Sequence, residues 1–144
     1  MKYYLDTSAL VKIYHREEGP DDVMNIYQGR SKIVISELAK VELLSAAHRK
    51  LREGEITEDA LRILTDKFFE DIEFRYEVLK FSSLVVEEAC RLLLRYAKTM
   101  ALRSLDSLQL AFFQVYSGPE DIFVCSDDRL VRIAGYEGLK VMAP

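Results

Sequence analysis

Residues 2–12 read KYYLDTSALVK: a short apolar run, a lone carboxylate at Asp6, then small hydroxylated residues leading into a helical pattern. A carboxylate between a buried strand and a helix has two uses. It accepts hydrogen bonds from the free N–H groups of the helix's first turn, or it faces a ligand. Further short apolar runs follow at 32–36, 76–81, 122–125 and 139–142, beside the first at 3–5. Between them lie helical patterns: a short one after Asp6, then 21–29, 38–52, 57–73, 83–98, 105–116 and 128–134. Buried strands alternating with helices predict an α/β fold whose mostly parallel sheet, of four to five strands, is covered on both faces. In such sheets the ligand crevice lies outside the carboxyl ends of the strands, where strand order reverses. Asp6 ends the first strand and Asp127 follows the fourth.

The 144 residues, 49% of them hydrophobic, suit one domain over 1–144 with a core of its own. No run approaches the roughly 18 apolar residues of a membrane span, and the opening residues lack a signal-peptide pattern, so a cytoplasmic protein without a membrane partner is expected. Cys90 and Cys125 have no CxxC or Cys/His spacing and are expected in the core. His15 and His48, the two histidines, are read as surface residues, which argues against histidine-based catalysis. A net charge of −4 and a pI near 5.3 disfavour a nucleic-acid partner in bulk. The distribution differs: Arg91, Arg95, Lys98 and Arg103 form one basic stretch, Arg49, Lys50 and Arg52 another, and acids crowd 53–77.

Four acids stand out: Asp6, Glu42, Asp106 and Asp127. Asp6 and Asp127 sit where caps belong, and Asp106 with Gln109 three residues on has the pattern of a capping box. Glu42 is mid-helix between Val41 and Leu43, with Leu38, Ser45, Ala46 and Arg49 as helical neighbours, so capping is closed to it. It is either an exposed glutamate paired with a basic residue or part of a site. If the four converge, the repulsion is large: two unit charges about 5 Å apart repel by roughly 3 kcal/mol at an effective dielectric near 20. A divalent cation is the economical compensation. Hard oxygen ligands without imidazole or thiolate favour Mg²⁺, with Mn²⁺ as the alternative.

The blocks YYLDTSALVK, ISELAKVELLSA, LRSLDSLQLA and FVCSDDRLVRIAGYEGLKVMAP, in this order and nearly end to end, resemble the PIN-domain nucleases, most closely the VapC-type toxins of prokaryotic toxin–antitoxin pairs. The resemblance implies a three-layer α/β/α fold and Mg²⁺-dependent endonucleolytic hydrolysis of RNA to a 5′-phosphate and a 3′-hydroxyl. It implies that Asp6, Asp106 and Asp127 hold the metal and that Glu42 completes the shell or orients the attacking water. The leucine three residues after Asp127 selects it over Asp128 as the fourth acid. Ser8 stands where the family's opening motif has a hydroxyl near the metal, able to contact a metal water or phosphate, or simply to start the helix. Arg49 and Arg103 are expected to border the crevice and contact RNA phosphates, with solvated helix faces as the alternative. Cys125 departs from the family, which often has threonine there.

The resemblance further implies a small antitoxin and a homodimer contact, using apolar surplus among Leu43, Ala47, Leu51, Leu61, Leu64, Phe68 and Phe69; core packing is the other use for these residues. Two other functions stay open: a non-catalytic scaffold of the same fold, and an RNA-processing nuclease outside a toxin–antitoxin pair.

Overall fold

The computed structural model describes residues 1–16 and 21–144. Its elements run β1 (Lys2–Leu5), α1 (Thr7–Tyr14), α2 (Asp22–Gln28), β2 (Lys32–Ser36), α3 (Glu37–Arg52) and α4 (Glu58–Phe74). They continue with β3 (Tyr76–Leu79), α5 (Ser83–Met100), α6 (Ser104–Tyr116), β4 (Ile122–Val124), α7 (Asp128–Tyr136) and β5 (Val141–Met142). The five strands form one sheet in the order β3-β2-β1-β4-β5, and every neighbouring pair is parallel. The chain walks outward from β1 through β2 to β3, then returns to the other side of β1 with β4. Strand order therefore reverses at the carboxyl end of β1, where Asp6 stands.

Alternation along the strands makes the three layers. Tyr4, Val34 and Phe123 share a register and one face of the sheet, and pack under α5, α6 and α7 with Leu92, Leu110, Phe112, Phe113 and Ile133. Leu5, Ile33, Ile35 and Val124 point the other way, against Leu10 and Ile13 of α1, Ile26 of α2, Leu43 of α3 and Phe68 of α4. α6 is apolar on nearly every side, and accordingly Leu110, Ala111, Phe112 and Phe113 are all buried.

Two expectations are corrected, and a third question, the use of the apolar surplus, is answered. Cys90 is exposed on α5, because the buried stripe of that helix runs through Val85, Ala89, Leu92 and Tyr96; Cys125 is buried as expected. His15 is half-buried at the end of α1, while His48 is exposed. Most of the apolar surplus in α3 and α4 is core: Leu43, Ala47, Leu61, Leu64 and Phe68 are buried, Leu51 is half-buried, and Phe69 is the one exposed member of that set.

α5 ends at Ala101, whose φ of 54° and ψ of 36° put an alanine in the left-handed conformation that glycine adopts without strain. Ala101→Gly should raise stability by about 0.5–1 kcal/mol, the relief of strain slightly exceeding the added freedom of the unfolded chain. Urea denaturation of the two proteins measures it.

Candidate active site

Three chain segments meet outside the carboxyl end of the sheet. After β1, Asp6 caps α1: its Oδ1 accepts from the Ala9 N–H at 2.9 Å and from the Ser8 hydroxyl at 2.6 Å. The Asp6 N–H still donates to the Val124 carbonyl at 3.1 Å, so the sheet ladder itself fixes where this carboxylate sits. After β4, Asp127 caps α7 through Oδ1, which accepts from the Leu130 N–H at 2.9 Å. After β2, Ser36 caps α3 and sends Glu42 out on its second turn. For Asp6 and Asp127 capping and site position coincide, since one oxygen serves the helix.

Asp106 is not a cap. Arg103 is the capping position of α6 and makes no side-chain hydrogen bond to the helix; Asp106 lies in the first turn and forms no hydrogen bond among the described residues. The anticipated capping box fails because Gln109 turns inward. Its amide Nε2 donates to Glu42 Oε1 at 2.7 Å and to Thr7 Oγ1 at 2.9 Å, while its Oε1 accepts from Tyr4. Thr7 also donates to Glu42 Oε1, at 2.9 Å.

Asp6, Ser8, Glu42, Arg49, Arg103, Asp106 and Asp127 all line one open cavity of about 620 Å³, together with Thr7, Lys50 and Gln109. Every residue nominated from the sequence is there. Asp128 is not; it is exposed at the start of α7. The basic stretch from Arg91 to Arg103 divides: Arg103 reaches the cavity, whereas Arg91 and Arg95 on α5 both pair with Glu137, just after α7. Arg129 went unnoticed in the sequence, yet with Arg103 it faces Asp106 closely enough to offset its charge. Thr7 and Gln109 were also missed as site residues. The available signal for Gln109 was a polar side chain inside an otherwise apolar helix.

A family model described as PIN domain matches residues 3–136. The chain belongs to the PIN domain family. No curated protein matches it. Among solved structures, this PIN domain is similar to a chain of FitAcB from Neisseria gonorrhoeae, with a TM-score of 0.73 and 16% identity, covering 99% of this chain and 97% of that one. It is similar to a chain of VapBC2 from Rickettsia felis bound to a DNA fragment from their promoter, with a TM-score of 0.67 and 16% identity over 100% and 99% of the two chains. It is also similar to PAE2754 from Pyrobaculum aerophilum, with a TM-score of 0.65 and 22% identity over 98% and 83%. At these identities the likeness establishes a shared fold.

The electrostatics of this PIN domain's cavity are those of acids short of cations. Burial pushes the Asp6 carboxyl up to about 6, against the pull of Cys125, Ser8 and the Ala9 N–H, and the charge of Asp106 adds to it. Glu42 is raised mainly by burial, opposed by Gln109 and Thr7. Asp106 is raised by burial and by Asp127, opposed by Arg103 and Arg129. None of the four forms an ion pair among the described residues. Asp71, the other buried aspartate described, is the contrast: it receives Tyr14 and Tyr27 hydroxyls at 2.7 and 2.8 Å and lies 3.5 Å from Lys67. Asp71 has a cation paired to it within the protein, whereas the cavity acids have none among the described residues.

This donor set fits a hydrated Mg²⁺ or Mn²⁺. All four groups are hard oxygens, and Glu42 and Asp127 each keep one oxygen that takes no hydrogen bond among the described residues. No three Asp, Glu, His or Cys side chains close into a cage among the described residues. An open cavity lined by carboxylates suits Mg²⁺, which retains several waters and uses few protein ligands. It does not suit a structural zinc, which demands four closed ligands.

Proposed function

We propose that this PIN domain is a Mg²⁺-dependent endoribonuclease and the toxin of a toxin–antitoxin pair. The observation that carries the nuclease reading is the convergence of Asp6, Glu42, Asp106 and Asp127 on one cavity rimmed by Arg49, Lys50 and Arg103. Asp6, Asp106 and Asp127 would hold the cation and Glu42 would complete its shell, with Mn²⁺ as an alternative occupant. When bound, the cation activates a water as nucleophile and stabilises charge on the phosphoryl oxygens. Glu42 directs its second oxygen at the attacking water. Ser8 spends its hydroxyl proton on Asp6 and accepts from the Ser126 N–H at 3.0 Å, so it fixes Asp6 between β1 and the segment after β4. Arg49 and Arg103 draw the RNA backbone in, and hydrolysis leaves a 5′-phosphate and a 3′-hydroxyl.

The toxin reading draws on the fold shared with FitAcB and VapBC2. It brings a small antitoxin, a homodimer and a cytoplasmic site of action with it. No helix among the described residues is long and apolar enough to cross a membrane. Incubation of the protein with structured RNA and Mg²⁺ tests the nuclease reading: internal cleavage is expected, abolished by EDTA and restored by excess Mn²⁺. RNA binding without cleavage in either metal would favour a scaffold. Cleavage by a protein whose expression leaves growth unaffected would favour RNA processing outside a toxin–antitoxin pair.

Arg49 and Arg103 are exposed, so their loss should leave the fold intact and weaken RNA binding uniformly across sequences. Each Arg→Ala change should reduce the slope of log affinity against log salt by about 0.7, the single-strand value per neutralised phosphate. Fluorescence anisotropy with the cleavage-dead Asp106→Asn protein at several salt concentrations reads that slope.

A further inference from the structure

Gln109 is 2% exposed, yet it is polar and sits in the cavity wall rather than among the apolar side chains of its own helix. A buried amide presents two donors and two acceptor sites, and this one has a partner for each. Its Oε1 accepts from the Tyr4 hydroxyl at 2.5 Å and from Ser36 Oγ at 3.4 Å; its Nε2 donates to Glu42 and Thr7. The orientation is not interchangeable. A rotated amide would set its carbonyl oxygen against the Glu42 carboxylate, which only accepts when ionised, and would set its NH₂ against the Tyr4 hydroxyl proton. Tyr4 is itself fixed, being 1% exposed and stacked on Phe123 with centroids 5.6 Å apart. A rigid line thus runs from the sheet core through Tyr4 and Gln109 to one oxygen of Glu42.

We infer that Gln109 is a positioning residue: anchored by Tyr4 and Ser36, it holds Glu42 Oε1 and thereby aims the other Glu42 oxygen into the cavity. This rests on the proposed role of Glu42. Glu42 is half-buried at the edge of the cavity and has several rotatable bonds, so without the amide and Thr7 its carboxylate would sample the open side of the cavity. Partners one step removed from a metal site typically govern metal affinity or activity by 10–100-fold.

Two changes and their combination test it, with Mn²⁺ alone as the calorimetric probe and RNA cleavage as the second reading. Gln109→Met, which keeps the volume and removes the amide, should weaken Mn²⁺ binding by about 10-fold and lower kcat more than it raises KM. In a Glu42→Gln background the same change should have no further effect on Mn²⁺ affinity, because Gln109 acts through Glu42. Affinity within twofold of the parent, or equal losses in both backgrounds, would overturn the inference and reduce Gln109 to a packing residue. If Gln109→Met does not fold, Tyr4→Phe in the same two backgrounds takes its place, with a loss of about threefold expected only where Glu42 is intact. Native Mn²⁺ affinity and native cleavage in Glu42→Gln alone would instead contradict the role of Glu42 and leave the amide nothing to position.

Discussion

Asp6→Asn should make the metal-free protein more stable at pH 7, by about 1–3 kcal/mol, and should remove the stability that Mn²⁺ confers on the parent. The upper figure follows from the rise of the Asp6 carboxyl from 3.8 to about 6 on folding, at about 1.4 kcal/mol per unit. Asparagine caps helices as well as aspartate does, so the Ala9 N–H and the Ser8 hydroxyl keep a partner. The sign of the pH dependence is fixed by the direction of the shift. An acid whose folded value is raised destabilises the folded state only once it is ionised in the unfolded chain. The penalty is absent below pH about 4, grows as pH rises toward about 6, and stays constant above it. The gap between parent and Asp6→Asn should therefore vanish near pH 3.5 and be full at pH 7. In the parent, Mn²⁺ at 100 times its dissociation constant should add about 2.7 kcal/mol. Thermal denaturation in EDTA and in Mn²⁺, at both pH values, measures all of this. A parent protein insensitive to Mn²⁺ would count against the site.

Asp106→Asn should be the cleaner loss of function: cleavage down by on the order of 10³-fold with the fold unharmed, as for removal of one key electrostatic stabiliser from an active site. Asp6 and Asp127 each serve a helix as well as the cavity, so their loss mixes stability with chemistry. Asp106 serves no hydrogen bond among the described residues, and the nearby charge of Asp127 works against it. Burial and Asp127 outweigh the help its carboxylate receives from Arg103 and Arg129. Single-turnover cleavage at saturating protein, beside circular dichroism and melting in EDTA, separates the two effects. Equal or higher stability with lost cleavage is the expected pair. Retained cleavage would remove Asp106 from the reaction.

Much of this architecture was legible because parallel α/β folds write themselves in short-range pattern. KYYL alternates so that Tyr4 and Leu5 face opposite layers, and Asp6 follows at the point where strand order reverses. Glu42 was legible because its mid-helix place closed capping to it, and its neighbours Leu38, Ser45, Ala46 and Arg49 all line the cavity. Gln109 was misread as half of a capping box for a physical reason. The spacing of a capping box is a local rule, whereas the pull on Gln109 comes from Tyr4, Ser36, Thr7 and Glu42, 67 to 105 residues away in the chain. Cys90 was misplaced because cysteine's tendency to be buried says nothing about which helix face it occupies. The basic stretch from Arg91 to Arg103 looked uniform, but Glu137, 46 residues from Arg91, claims Arg91 and Arg95 and leaves Arg103 to the cavity.

The central claim is that four carboxylates from distant parts of the chain jointly hold one class of cation. A crystal grown in Mn²⁺ and measured for manganese anomalous scattering tests this directly. The account predicts a peak in the cavity between Asp6, Asp106 and Asp127, lost in Asp106→Asn. Well-ordered cavity side chains without a peak, at Mn²⁺ concentrations that saturate RNA cleavage, would contradict it.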